Sequence, residues 1–309
     1  MSASTGLPVV DCAALDTDPT DPALVAAVAD ACARVGGFVA TGCAPATTAQ
    51  AFTQARRFFT LPEHRRRAVA GDRNNRGWTA YRSETSSGRA PDVKEAFQVG
   101  RDLGPDHPLV LAGTPLHGPN QWPDLPGFRP VVERLFDEVL ELCRKVSVPL
   151  ALGLGLDAAA LRAQLDEPYA SMRLHRYPAV DPEHVGPDEE FGHAPHTDFG
   201  ALGIVLQEDD GGLQAEWAGR WADVPGGGDR VTVLVGDLLA WWSGGHYRAL
   251  RHQVPVPRHS DRYSVAAFVN PGFNRTLHPM NDDGAPGERC GNFILNAARA
   301  RRAAVGAND

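Results

Sequence analysis

Residues 196–214 read HTDFGALGIVLQEDDGGLQ, a histidine and an aspartate two positions apart at the head of an apolar stretch. In an extended chain, side chains at i and i+2 point to one face, so His196 and Asp198 would aim together into whatever that face encloses. Two imidazoles and one carboxylate on one face of an octahedral ion leave three adjacent positions open, the arrangement non-haem Fe(II) uses to take a co-substrate and O2 together. A distant second histidine is then required, and His252 in YRALRHQVPV supplies it 56 residues downstream. Leu250, His252 and Val254 share a strand face, which sets this imidazole among apolar neighbours. Ten residues on, Arg262 and Ser264 again stand at i and i+2, and Ala266 and Phe268 continue their face. A buried guanidinium needs an anion, and its planar fork fits a carboxylate with two hydrogen bonds while the serine hydroxyl adds a third. A small dicarboxylate meets both demands, one end on Arg262 and the other on the metal. One of the chain's own 38 acidic residues could pair with Arg262 instead.

Other residues with the right chemistry read more simply. The chain has 11 histidines, and a single histidine is most often solvated or a satisfied core residue. His193, three before His196, falls on the opposite face of an extended chain; His246 sits in a Gly-Gly turn and His259 beside a Pro-Arg turn, so all three read as structural or solvated. Asp237 reads as a turn residue after a buried strand, and Trp241 and Trp242 as neighbours alternating across a strand. The five cysteines, Cys12, Cys32, Cys43, Cys143 and Cys290, are odd in number and widely spaced, which suggests buried, reduced thiols.

The elements that must position these groups change character along the chain. Asp21 as N-cap, Pro22 and a Gly36-Gly37 stop bracket a first helix, the strand FVATG follows, and a second helix is closed by Pro62. Residues 71–127 are rich in Gly, Pro, Asn and Ser, with a possible strand at DVKEAFQVG. Val132, Leu135, Val139, Leu142 and Val146 then mark a long amphipathic helix able to support a sheet. From about residue 170 the period becomes strand-like: SMRLHRYP, LGIVLQE, GLQAEW, RWADVP, RVTVLVGDLLAWW, YRALRHQVPV and RYSVAAFV. The Gly211-Gly212 pair turns the chain between two of them. So many short strands predict an α+β protein with a jelly-roll core, whose interior can hold a small ligand.

Composition narrows the partners. With 43% hydrophobic and 22% charged residues in 309, the chain has the means for a large core. A formal charge of −8 without any basic block argues against a nucleic-acid partner. No apolar run is long enough to span a bilayer, and the start lacks the marks of a signal peptide, which predicts a cytoplasmic protein with no membrane partner. Its oligomeric state is left open.

The ordered set of motifs, H-x-D at 196–198, GDLLAWWSGGHYRALRHQV at 236–254 and R-x-S at 262–264, resembles the isopenicillin N synthase-like branch of the 2-oxoglutarate- and Fe(II)-dependent oxygenases. The likeness extends to LPVVDCAAL, VGGFVATG, DVKEAFQVG and MRLHRYP, covering roughly residues 6–275. It implies a double-stranded β-helix (jelly-roll) core at 166–275, an N-terminal non-haem dioxygenase region at 1–125, a supporting helix and linker at 126–165, and a C-terminal segment with a helix at 276–309. It also implies that His196, Asp198 and His252 hold Fe(II), that Arg262 and Ser264 hold the distal carboxylate of 2-oxoglutarate, and that Tyr177 lies close to this co-substrate. Strand alternation independently puts Arg173, His175 and Tyr177 on one face. The chain departs from the family's pattern at His175 and Arg176, where Asn and Tyr are usual, at Gly244 for Asn, and at Gln253 for Arg. His175 is assigned a supporting role at the metal-proximal end of the co-substrate. The implied reaction joins O2 to decarboxylation of 2-oxoglutarate, releasing succinate and CO2, and takes hydrogen from an unactivated C–H bond of a small molecule, with hydroxylation as the default and desaturation or ring closure as variants. An Fe(II) oxidase that needs no 2-oxoglutarate and a metal-free, ligand-binding jelly roll are the alternatives. Phe199, next to the metal motif, and Arg76, Trp78, Tyr81, Lys94 and Phe97, in the irregular region, are candidates to touch the substrate; the two basic ones, Arg76 and Lys94, hint at an anionic substrate, and the composition hints at specialised metabolism.

Overall fold

The computed structural model describes residues 6–85, 90–181, 191–280 and 284–306. Its N-terminal part alternates strand β1 (Val9–Asp11), helix α1 (Pro22–Arg34), strand β2 (Gly37–Thr41), helices α2 (Thr48–Phe59) and α3 (Glu63–Arg67), strands β3 (Gly77–Thr79) and β4 (Glu95–Gly100), and helix α4 (Pro108–Leu111). Helix α1 begins where the sequence signals it: the Asp21 carboxylate accepts the Leu24 N–H at 2.9 Å, Pro22 takes the first turn, and Gly36 at φ 94° ends the run. Helix α5 (Phe128–Gly153) buries the stripe Val132, Leu135, Val139, Leu142 and Val146 and is followed by α6 (Ala158–Gln164).

The remaining strands are β5 (Tyr169–Tyr177), β6 (Phe191–His196), β7 (Leu202–Gln207), β8 (Leu213–Trp217), β9 (Arg220–Val224), β10 (Val231–Val235), β11 (His252–Pro255) and β12 (Arg262–Asn270), with helix α7 (Asp237–Trp242) between β10 and β11. A short hairpin, β13 (Thr276–Leu277) and β14 (Glu288–Arg289), leads into the C-terminal helix α8 (Cys290–Gly306). Eight strands form one sheet in the order β1-β2-β10-β7-β12-β5-β4-β3, and four form a second in the order β6-β11-β8-β9. The helix-covered face of the large sheet carries Phe97, Leu174, Val233 and Val265 against Phe58 of α2 and Phe128 and Leu135 of α5. Its other face meets the small sheet through Val39, Tyr177, Val205, Leu213 and Val254. Two sheets face to face with helices outside the larger one is the expected α+β jelly roll.

Three local readings need correction. RVTVLVGDLLAWW is not one strand: β10 stops at Val235, and α7 begins at Asp237, whose N–H bonds the Asp198 carbonyl at 2.8 Å while the Leu238 N–H bonds Gly200 at 3.1 Å. Trp241 and Trp242 therefore sit on a helix, Trp242 buried and Trp241 packed against Phe293 of α8 with ring centroids 5.6 Å apart. Of YRALRHQVPV only His252–Pro255 is strand. Strand β6 was hidden in sequence by Gly192 and Pro195, residues that ordinarily argue against a strand. Among the described residues no helix is long and apolar enough to cross a membrane.

Candidate metal centre and co-substrate pocket

His196 is the last residue of β6, and Asp198 lies in the bend between β6 and β7. The two share a destination because the chain turns there, not because they begin a strand together. His252 opens β11 directly opposite His196 in the antiparallel ladder. The Nε2 atoms of His196 and His252 stand 3.7 and 3.8 Å from Asp198 Oδ1, and the two imidazole centroids are 4.2 Å apart. One donor atom from each residue lies within 4.8 Å of the other two, and all three residues are buried. The His196 Nδ1–H donates to the Ala194 carbonyl at 2.7 Å and the His252 Nδ1–H to the Leu250 carbonyl at 3.0 Å; a carbonyl can only accept, so each ring turns an Nε2 lone pair inward. Two imidazole nitrogens and a carboxylate oxygen are a donor set that suits a ferrous ion. Gly203 leaves room for the Asp198 carboxylate, since a Cβ there would come within 2.7 Å of Asp198 Oδ2.

On the inner face of the large sheet the residues alternate as expected. Arg262 pairs with Tyr177, Ser264 with His175, Ala266 with Arg173 and Phe268 with Ser171 across β12 and β5. Arg262 is 3% exposed, and its hydrogen bonds go to neutral oxygens: the Gly211 carbonyl at 2.6 Å, Gln207 Oε1 at 2.7 Å and Ser264 Oγ at 3.2 Å. Its guanidinium carbon lies 4.8 Å from the centre of the Tyr177 ring. Among the described residues no carboxylate forms an ion pair with Arg262, so the internal salt bridge considered from sequence is not what the structure holds. Burial draws its pKa down and Tyr177 and the charge of Asp210 partly offset this, but a guanidinium remains charged, and a buried cation without an ion pair among the described residues calls for an anion. Gly211 and Gly212 do more than turn the chain: one supplies the carbonyl that holds Arg262, and a Cβ on Gly212 (φ 95°) would come within 2.7 Å of the guanidinium Nε. His175 is buried, its Nδ1 has no hydrogen-bond partner among the described residues, and burial together with Arg173, Lys94, Arg262 and His196 holds it well below the usual imidazole range, hence neutral. Tyr177 is pushed up by burial and keeps its proton.

A cavity of about 580 Å³ opens beside this centre, lined by His196, Asp198 and Phe199 and by residues of β4, β5, β12 and α8. Of the substrate candidates, Phe199 and Lys94 line it; Arg76, Trp78, Tyr81 and Phe97 do not. Strand parity explains the split on β4: Ala96 and Gln98 pair with the inner residues His175 and Arg173, whereas Phe97 pairs with Leu174 on the helix side and packs against Phe58 and Phe128. Trp78 donates its indole N–H to Glu95 at 2.8 Å, Arg76 is buried with its guanidinium on the carbonyls of Asn74 and Leu116, and Tyr81 is 43% exposed. Part of that irregular stretch, residues 86–89, lies outside the described residues. His193 was misplaced by simple alternation. Between the pairs His252–His196 and Val254–His193, β6 advances three residues against two on β11, and this bulge stacks His193 on His196 with centroids 3.9 Å apart. Residues not proposed from sequence as site candidates also line the wall: Arg173, Glu84, Phe268 and, from α8, Ile294. Arg173 was legible only as a face-mate of His175, and α8 gave no signal at all.

A jelly roll holding a buried His-Asp-His set beside a cavity defines a mononuclear non-haem metal protein. Two family models match the chain, the N-terminal region of non-haem dioxygenases in morphine synthesis over residues 7–125 and the 2OG-Fe(II) oxygenase superfamily over residues 168–271. The 2-oxoglutarate-dependent dioxygenase citB of Monascus ruber is 31% identical over 292 residues, 89% of this chain and 88% of that protein, and caaD of Aspergillus niger, named likewise, is 32% identical over 293 residues, 90% and 88%. The crystal structure of a full-length Neurospora crassa protein in complex with alpha-KG and thymine superposes with a TM-score of 0.82 at 25% identity, covering 97% of this chain and 98% of the fungal one. The chain belongs to the 2OG-Fe(II) oxygenase superfamily. It is a 2-oxoglutarate-dependent dioxygenase that uses Fe(II), 2-oxoglutarate and O2, oxidises a small-molecule substrate and decarboxylates 2-oxoglutarate to succinate. Of the alternatives weighed from sequence, this is the one its relatives share.

Proposed function

We propose that His196, Asp198 and His252 hold the ferrous ion, that Arg262, Ser264 and Tyr177 hold the distal carboxylate of 2-oxoglutarate, and that the reaction hydroxylates a small molecule of specialised metabolism in the cytoplasm. The observation that carries this reading is the pairing of a three-donor set within 4.8 Å with a buried guanidinium that, among the described residues, is bonded to neutral oxygens. The bound iron supplies the activation of O2 and the oxidative decarboxylation of 2-oxoglutarate. The chain's own part is placement. Backbone carbonyls of Ala194 and Leu250 fix the tautomers of the two imidazoles, so neither can rotate its lone pair away without leaving a buried N–H unpaired. Arg262 offers its fork, and Ser264 and the protonated Tyr177 add hydroxyls beside it. Neutral His175, paired with Ser264 across the strands and two residues from Arg173, presents a polar ring without adding charge at the metal-proximal end. Phe199 and Lys94 face the substrate.

Calorimetric titration of 2-oxoglutarate into protein loaded with Fe(II) under anaerobic conditions tests this. The Arg262→Ala variant is expected to bind about 100-fold more weakly, the equivalent of about 3 kcal/mol for stripping one partner from a buried charged contact. Asp198→Ala should lose the dependence of binding on metal altogether. Binding indifferent to both substitutions, or as tight without metal as with it, would refute the assignment.

A further inference from the structure

We infer that Arg173 binds a carboxylate of the substrate and that Glu84 occupies that carboxylate's place until the substrate arrives. This rests on the reading above, in which the cavity beside His196 and Asp198 receives the molecule to be oxidised. Arg173 lies on the inner face of β5, opposite Ala266 of β12 and Gln98 of β4, so its backbone is fixed by strands on both sides. Its guanidinium faces the cavity with a side chain only 17% exposed. Among the described residues it makes one hydrogen bond, from Nη2 to Glu84 Oε1 at 2.7 Å, and the adjacent Nε is buried with no partner. A carboxylate docked side-on takes Nε and Nη2 together, so Glu84 fills half of a fork built for two oxygens.

Charge and exposure decide which acid can leave. Four charged groups meet at this wall: Arg173 and Lys94 against Glu84 and Asp92, with Lys94 Nζ 2.7 Å from Asp92 and 3.8 Å from Glu84. Asp92 is 2% exposed and holds Lys94, while Glu84 is 35% exposed and comes from the loop after β3. An incoming anion added beside both acids would leave a net negative charge in a partly buried site; one that displaces Glu84 keeps the balance. Lys94, one of the two basic residues that hinted at an anionic substrate from sequence, is thus neutralised in place, and Arg76 is outside the cavity. Phe268, the next inner residue of β12 beyond Ala266, and Phe199 line the same cavity as Arg173, His196 and Asp198. The substrate class is therefore a small carboxylic acid with an apolar body, its acid group on Arg173 and its carbon skeleton towards His196 and Asp198.

The test uses the protein loaded with Zn(II) and saturating 2-oxoglutarate, which cannot turn over, and reads binding by ligand-detected NMR. Phenylacetate, 3-phenylpropionate and 4-phenylbutyrate are each compared with the corresponding primary amide. At least one acid is expected to bind about tenfold or more tightly than its amide. Arg173→Gln should erase that preference, and Glu84→Gln should strengthen acid binding several-fold while leaving the amide unchanged. No acid exceeding its amide, or a preference that survives Arg173→Gln, overturns the inference. If Arg173→Gln does not fold, Glu84→Gln decides alone, and no gain in acid binding overturns it. Affinity for 2-oxoglutarate measured on the same samples separates the two levels: intact co-substrate binding without acid preference counts against Arg173 only, whereas absent co-substrate binding overturns both readings.

Discussion

His196 and His252 are oriented by one device, each donating Nδ1–H to the carbonyl two residues earlier in its own chain, Ala194 and Leu250. A ring held by its own backbone needs no further partner to present Nε2, which is why two histidines on different strands reach the same carboxylate with nearly equal separations of 3.7 and 3.8 Å. Individual thiols differ as sharply in environment. All five cysteines are free, and four are buried; burial pushes the Cys143 and Cys290 thiols up to about 12. Cys43 is half-buried, and a hydrogen bond from Cys12 holds it below the usual thiol range despite partial burial and the nearby Asp16, Asp229 and Asp11. A substoichiometric alkylating agent followed by peptide mass spectrometry is expected to find Cys43 labelled first, and Cys12→Ala should slow that labelling severalfold. Labelling that begins at any other cysteine would contradict this.

Helix α2 lacks a cap from its own Thr47 side chain and receives one from α5 instead. Glu138 accepts the Thr47 N–H at 2.9 Å and the Thr47 hydroxyl at 2.8 Å, joining the two helices that cover the large sheet. Burial alone would raise this carboxyl, but the Thr47 N–H, the Thr47 hydroxyl and Arg134 outweigh it and hold the pKa below the ordinary 4.5. Because the folded value is depressed, the stabilisation is complete above the unfolded value of about 4.5 and is lost as pH falls through the folded one. Glu138→Ala should cost about 1–2 kcal/mol in urea unfolding at pH 7, and the gap between variant and parent should close as the pH is taken below 4.5. Elements were legible where pattern and punctuation agreed. Helix α1 had Asp21, Pro22 and Gly36 as markers; β6 had only misleading ones, and the step from β10 to α7 left an apolar run whose period no marker interrupted.

Across the whole molecule, the two cores divide the labour. The helix-backed core fixes the large sheet, and the smaller core between the sheets includes Tyr177, whose ring lies 4.8 Å from the Arg262 guanidinium. A site assembled from β5, β6, β11 and β12 exists only in the folded chain, so anything that binds it must stabilise the fold by mass action. Metal at about 100 times its dissociation constant should add about 2.7 kcal/mol, and 2-oxoglutarate at the same excess about as much again. For a chain of this size each contribution corresponds to a rise in Tm of about 4 °C. Thermal unfolding with and without Mn(II) and 2-oxoglutarate measures it; a chelator should abolish the rise, and Asp198→Ala should show none. An equal rise in that variant would show that the stabilisation arises elsewhere.

Residue type and two-residue spacing were enough to single out His196, Asp198, His252, Arg262 and Ser264; for Arg262 and Ser264 the shared strand face is local geometry, whereas His196 and Asp198 converge through the turn after β6. The row Arg173, His175 and Tyr177 followed from the same parity. What no local pattern encodes is which strands lie side by side and where a ladder slips by one residue. Pairing in space set Phe97 against the helices and Lys94 in the cavity, a bulge between β6 and β11 laid His193 on His196, and a helix nearly a hundred residues after His196 closed the cavity wall with Ile294. Those placements depend on contacts between residues far apart in the chain, and only the packed sheets decide them.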